Sequence, residues 1–386
     1  MNASQVRKLV VAVSAVVLVD TAFYSAIAPL LPSLTHALHL SILAAGLLTA
    51  CYPAGMLIGS LPSGMLAARI GPRATVYVGL TVLAAASVVF GTASGLEMMD
   101  VARFLQGLGG ACAWAGGLTW LVSAVGAHER GAVIGSAIGA AIAGSLLGPV
   151  IGTLAHVLGR AIVFSSMPVC ATALIWWSRQ IPATFTRSHQ GLRDLWTAVR
   201  RPSLVLAMWL VLVPAVVSGV ISVLGPLRLN QFGAGAGVVG ATFLVAAGIE
   251  AAISPMIGRM SDRRGCLVPL RVGLVLDLAA LMCFTLPRSP ELLAVVIIAI
   301  IGALAALWTP ATAMFADAAD ATDLSQGLAF ALMNVAWAAG QITGSGGGGA
   351  LAKMTGDGLP LVGIAVLCAL TLLLVTGRTR TTVVLR

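Results

Sequence analysis

Apolar residues run through this chain in blocks of about 20, the length a helix needs to cross the hydrocarbon core of a bilayer, and its charged residues cluster between the blocks. Twelve blocks are predicted as membrane-spanning helices. The first six are Leu9 to Leu31, Ile42 to Leu66, Ala74 to Phe90, Val101 to Val122, Gly131 to Leu154 and Ala161 to Trp177. The second six are Leu204 to Leu224, Val238 to Ile257, Leu267 to Leu286, Leu292 to Phe315, Ser325 to Leu351 and Pro360 to Val375. The first run follows Arg7 and Lys8 as a secretion signal would, yet it continues through Asp20 without a small-residue cleavage site and is read as a retained helix. Continuous blocks also exclude a membrane β-barrel, whose strands alternate polar and apolar residues.

Composition narrows the class. Of 386 residues, 59% are apolar and 9% charged, against about 25% charged in soluble domains, so the chain reads as a polytopic helical membrane protein and not as a soluble enzyme. The 22 Lys and Arg give its orientation. With both termini in the cytoplasm, Arg160, Arg228, Arg288 and Lys353 fall outside and Arg103 lies within a span, which leaves seventeen on the inner side. That asymmetry supports both the count and the orientation, and the expected location is the cytoplasmic membrane. The same basic loops face anionic lipid and account for the net charge of +9 without a nucleic-acid partner. Six cysteines are scattered singly and read as small core residues. His36 and His39 lack a third metal ligand, and no phosphate-binding glycine loop is present. No metal or cofactor is expected.

The hydrophilic stretch around Arg179 to Pro202 divides the chain into residues 1–178, a linker at 179–203 and residues 204–386. The two halves repeat each other. Gly64, Arg69 and Gly71 between the second and third spans return 194 residues later as Gly258, Asp262, Arg263 and Gly265, with Ala68 at the position of Asp262. In the fifth span of each half, Gly144 and Gly148 return as Gly340 and Gly344 at an offset of 196. A duplicated six-helix unit is characteristic of secondary transporters.

These motifs resemble those of the major facilitator superfamily, and the resemblance covers essentially the whole chain. The family's loop motif, Gly-x-Leu-Ala-Asp-Arg-x-Gly-Arg, is matched by Gly64, Leu66, Ala67, Arg69, Gly71 and Arg73, with Ala68 in place of the aspartate. Its fourth-helix motif is matched by Arg103, Gln106, Gly107 and Gly109. Its fifth-helix motif is matched by Gly144, Gly148, Pro149 and Gly152, with Thr153 replacing the last glycine. The resemblance implies two six-helix bundles, alternating access and, from the fifth-helix motif, proton-coupled export of a drug or metabolite. Read physically, glycines four apart let another helix approach closely and Pro149 bends the helix, which makes a pliable surface for two bundles that rock against each other.

Intramembrane charges are the candidate chemistry, because each is costly without a partner or a wet cavity. Arg103 either holds a charge near the path or snorkels to headgroups beside Asp100. Asp20, about halfway along the first span, is the leading candidate for the proton. Glu250 in the eighth span and Asp277 in the ninth are the other acids of this kind. Tyr24, Gln106, Trp114, Trp120, Trp308, Asn334, Trp337 and Gln341 are candidate cavity residues. A pocket of rings and carboxylates would suit hydrophobic or cationic solutes. In the family the aspartate missing at Ala68 is thought to latch the inner side. Asp317, Asp320 and Asp323, before the eleventh span, are predicted to replace it by reaching Arg69 or Arg73, and Asp323 with Gln326 has the spacing of a capping box.

The expected function is therefore secondary transport of a small molecule by a monomer in lipid, as a proton antiporter that exports its substrate. The alternatives are symport or uniport of a sugar or organic acid, and a membrane sensor that moves nothing. One entering proton carries enough energy, since a charge gains about 2.3 kcal/mol per 100 mV of membrane potential.

Overall fold

The computed structural model describes residues 1–126, 130–182, 192–322, 324 and 326–383, and the regular elements among them are helices. The first half contains α1 (Ala3–Ser25), α2 (Ile27–Leu38), α3 (Ile42–Ile70), α4 (Pro72–Thr92), α5 (Leu96–Ser123), α6 (Arg130–Leu158), α7 (Arg160–Phe164) and α8 (Met167–Ser178). After the short α9 (Leu192–Val199), the second half contains α10 (Pro202–Gln231), α11 (Ala236–Arg264), α12 (Leu267–Cys283), α13 (Pro290–Asp320), α14 (Gln326–Ile342), α15 (Gly348–Thr355) and α16 (Gly358–Val383). Each predicted span is occupied. Among the described residues nine helical segments are long and apolar enough to cross a bilayer. The remaining three spans are α5, diluted by Gly107, Gly109, Gly110, Gly116 and Gly117, the 17-residue α12, and α14, which reaches α15 only through a π-helical turn at Thr343–Gly347.

Local chemistry explains the breaks. Pro29 has no amide hydrogen, so the Ser25 carbonyl loses its helical partner and the first span bends at Ala26 between α1 and α2. Ser41 and Ser289 cap α3 and α13 by accepting the amides of Ala44 and Leu292. The repeated loop motif ends in the same backbone device in both halves: Gly71 and Gly265 have φ of 93° and 81°, which only glycine adopts freely, and they turn α3 into α4 and α11 into α12.

The motif of the fifth span divides its contacts: its glycines pack within their own half, whereas Pro149 and Thr153 meet Gly240 of α11 in the other half. Gly144 and Gly148 pack on α1, where an added Cβ at Gly144 would lie 2.5 Å from the Leu18 carbonyl oxygen. Gly340 and Gly344 pack on α10 in the same way, Gly340 against the Leu212 carbonyl oxygen at 2.5 Å. Both seams tie helices within one half, because a face without side chains gains most where two helices run side by side. Contacts between the halves lie elsewhere. Gly46 of α3 approaches the Ser345 carbonyl of the π turn, and Gly240 of α11 approaches Thr153 and Pro149 of α6. At the end of the bundle opposite the N-terminus, His36 Nε2 meets Asn230 Oδ1 at 2.9 Å, which joins α2 to α10. Thus His36 has a hydrogen-bonding role across the halves.

Within the linker, α9 is an element that its polarity concealed. Leu195 and Ala198 are buried against the second-half core, while Trp196 is exposed beneath the Arg200 guanidinium, 5.1 Å from its ring centroid.

Candidate functional site

Three helices of the first half, α1, α3 and α5, converge at Asp20. It projects from α1 with 1% exposure. Tyr52 of α3 donates its hydroxyl to Oδ1 at 2.7 Å, and Trp114 of α5 donates Nε1 to Oδ2 at 2.9 Å. Both donors are neutral, so the carboxyl is oriented without being tied to a countercharge. Room for this arrangement comes from Gly110 of α5: a Cβ there would collide with the Tyr52 hydroxyl and lie 3.0 Å from Asp20 Oδ1.

Arg103 is also 1% exposed, so it faces the bundle interior and does not snorkel. It donates Nη1 to Gln106 Oε1 at 3.0 Å and Nη2 to the Tyr24 carbonyl at 3.2 Å. Gln106 in turn donates to Ser87 Oγ of α4 at 2.9 Å. Its guanidinium lies 5.1 Å from the centroid of the Tyr52 ring and 5.8 Å from those of Tyr24 and Phe90. Desolvated cation–ring contacts of this kind contribute up to about 2 kcal/mol. Among the described residues Nε of Arg103 has no hydrogen-bond partner, and the carboxylate of Asp20 does not form an ion pair with it. Tyr52 therefore connects the two, with its hydroxyl on the acid and its ring face on the cation.

The second half reaches this cluster through Trp337 of α14, whose ring meets Tyr24 edge-on at 5.6 Å, and Tyr24 meets Tyr52 at 4.6 Å. Of the candidates named from sequence, Asp20, Tyr24, Arg103, Gln106, Trp114 and Trp337 come together. Tyr52 was missed. Its signal was a phenol in the middle of an otherwise apolar span, between Cys51 and Pro53.

Other candidates are elsewhere. Trp120 is buried in the first-half core and Trp308 packs on the second-half core. Gln341 donates to Ser218 Oγ of α10 at 2.9 Å, and Asn334 is half-buried on α14. Glu250 and Asp277 sit on α11 and α12, outside the cluster.

Of the predicted latch, the structure describes the surroundings of Arg73 and Asp317. Arg73 donates Nη1 to the Ile181 carbonyl at 3.2 Å, and neither Arg69 nor Arg73 forms an ion pair with Asp317 among the described residues. Asp317 instead lies within electrostatic reach of Cys266, as does Asp262. The end of α13 thus faces the loop of its own half. Asp320 is exposed on the same helix, and Asp323 lies outside the described residues.

The family model described as Major Facilitator Superfamily matches residues 13–304 and 230–384. The chain belongs to that superfamily. Two solved structures share the fold. One, a crystal structure of a D-xylose–proton symporter, is 16% identical, with a TM-score of 0.79 over 95% of this chain and 96% of that one. The other, a xylose transporter from E. coli in a partially occluded inward-open conformation, is 15% identical, with a TM-score of 0.74 over 96% and 97% of the two chains. No curated protein matches the sequence.

Proposed function

We propose that this member of the major facilitator superfamily is a proton-coupled secondary transporter in which Asp20 takes up and releases the proton. The observation that carries the reading is the environment of Asp20: an almost fully buried carboxyl held by the neutral donors Tyr52 and Trp114, beside a buried cation that is not bonded to it. Such a group can change its charge without breaking an ion pair. Arg103 supplies a fixed charge that stabilises the ionised state, and Tyr52 relays position between them.

The solute is assigned to Tyr24, Trp114 and Trp337, where rings from both halves meet. Symport of a small hydroxylated solute such as a pentose is supported by the symporter and the xylose transporter that share this fold, and by ring faces able to cover a sugar's C–H surface. Export of a hydrophobic cation is the second reading, favoured by the glycine and proline motif of α6 and by the same rings. The transporter works as a monomer in the cytoplasmic membrane with both termini inside, the side its basic loops prefer.

Proteoliposomes test this. With an acid exterior, labelled xylose should accumulate inside, or a preloaded cationic dye should be expelled, and either movement should carry protons. Asp20→Asn should abolish the uphill component. Full uphill movement by that variant removes Asp20 from the mechanism, and absence of proton movement with every solute of both classes overturns proton coupling.

A further inference from the structure

A second ionisable centre lies in the other half, away from Asp20. Asp277 of α12 is 0% exposed, and both of its carboxylate oxygens are buried without a hydrogen-bond partner among the described residues. It occupies the stripe of α12 that also carries Gly273 and Leu281, and Gly273 packs on Ala306 and Leu307 of α13. Half-buried Glu250 of α11 is within electrostatic reach of Asp277.

Among the described residues the surroundings supply no countercharge at this depth. Apart from Glu250, α11 carries its charged residues at its end, from Arg259 onward. On α13 there is none between Glu291 and Asp317, and α16 offers the Cys368 thiol, also within reach of Asp277. Arg271 lies almost two turns away on α12 and donates Nη2 to the Val375 carbonyl. Two carboxylates in a water-poor site cannot both remain ionised.

The fold itself does not require acids here. α3 and α11 span the same register at the 194-residue offset of the repeat, which places Met56 opposite Glu250 and Leu83 opposite Asp277. Both are buried apolar residues. A buried, unsatisfied carboxyl that the duplicated half replaces by leucine is costly to keep and therefore marks a bound species. Hard metal ions require about six oxygen ligands, and among the described residues no group of three or more His, Cys, Asp or Glu converges. A proton needs no such shell.

We propose that Glu250 and Asp277 form a second proton-binding site, a carboxyl pair that titrates as one unit within the second half. The site is distinct from Asp20 and does not depend on which solute is carried. It gives the second half a charge that can change on its own.

Infrared titration of the full chain in vesicles of phosphatidylethanolamine and phosphatidylglycerol tests the pair directly through the carboxylic C=O bands. A coupled pair loses its protons in two steps that belong to both residues. Glu250→Gln and Asp277→Leu, the latter placing in α12 the residue type found in α4, should each leave a single step that coincides with neither original one. Asp277→Asn gives the same result if the leucine variant does not fold. Two steps that disappear one at a time, with the other unmoved, mean independent groups and overturn the proposal. Discharge of the band by sodium at constant acid pH reassigns the site to a metal cation and also overturns it. Asp20→Asn should remove a separate band and leave these steps unchanged, so failure of the Asp20 reading is distinguishable from failure of this one.

Discussion

Tyr52 donates its hydroxyl to Asp20 at 2.7 Å while its ring covers the guanidinium of Arg103, so a single side chain touches both buried charges of the first half. The two contacts can be separated. Tyr52→Phe keeps the ring on Arg103 and removes the donor, whereas Tyr52→Leu removes both. A hydrogen bond to a charged group contributes about 1.5–3 kcal/mol. We expect the phenylalanine variant to remain folded with proton-driven transport reduced roughly tenfold or more, by the tenfold-per-1.4 kcal/mol rule. The leucine variant should in addition lose thermal stability. Flux and melting temperature, measured together, check the separation.

Gly110→Ala should disturb the same site from behind. Its new methyl would meet the Tyr52 hydroxyl and Asp20, and overpacking of this kind costs about 1–3 kcal/mol. The expected result is a lower melting temperature together with loss of transport. Gly95→Ala, where an added Cβ meets nothing within 4 Å, should change neither.

Arg103→Lys keeps the charge but cannot reach Gln106 and the Tyr24 carbonyl with two nitrogens of one planar fork. Transport should fall well below wild type in a protein that still inserts. Full activity in both Arg103→Lys and Arg103→Ala would show that the cation is dispensable.

The halves are joined at the end opposite the N-terminus by His36 and Asn230. Removing this one hydrogen bond of about 0.5–1.5 kcal/mol by His36→Ala, which leaves the Asn230 bond to the Ala234 carbonyl in place, should shift the conformational equilibrium up to about tenfold toward states open at that end. Faster labelling of an engineered cysteine lining that opening is the readout, and an unchanged rate would mean the bond does not hold the halves.

At the opposite end, burial pushes the Cys266 thiol above its usual range, and the carboxylates of Asp317 and Asp262 push it further. A raised thiol is mostly protonated at neutral pH and reacts slowly. Asp317→Asn should return it toward its ordinary value, increase the thiolate fraction and accelerate modification of Cys266, followed on its own peptide by mass spectrometry. Equal rates would place Asp317 away from that loop.

The spans were legible because a bilayer offers backbone groups no water, so each crossing must be a long apolar helix and leaves its length in the sequence. Even α5 was found, despite its glycines. What lay beyond reading was which neighbour a face meets. The spacing of Gly144 and Gly148 announces close approach but not that α1 is the partner, and Asp317 shows its charge but not that it faces Cys266. Asp20 and Arg103 were conspicuous because intramembrane charge is rare, whereas Tyr52, apolar in most of its surface, was not. The short α9 was hidden for the opposite reason, since about two amphipathic turns look like any polar linker.

The two glycine seams also bear on how the chain is made. Because α6 closes on α1 without any residue from beyond α8, the first half can reach its own tight packing while the second is still being synthesised, in the vectorial order common to multidomain chains. The later half carries an equivalent seam and can close by itself. Assembly then needs only the docking of two finished pieces, which leaves the contacts between them, at Gly46, Gly240, His36 with Asn230 and Tyr24 with Trp337, as the last to form.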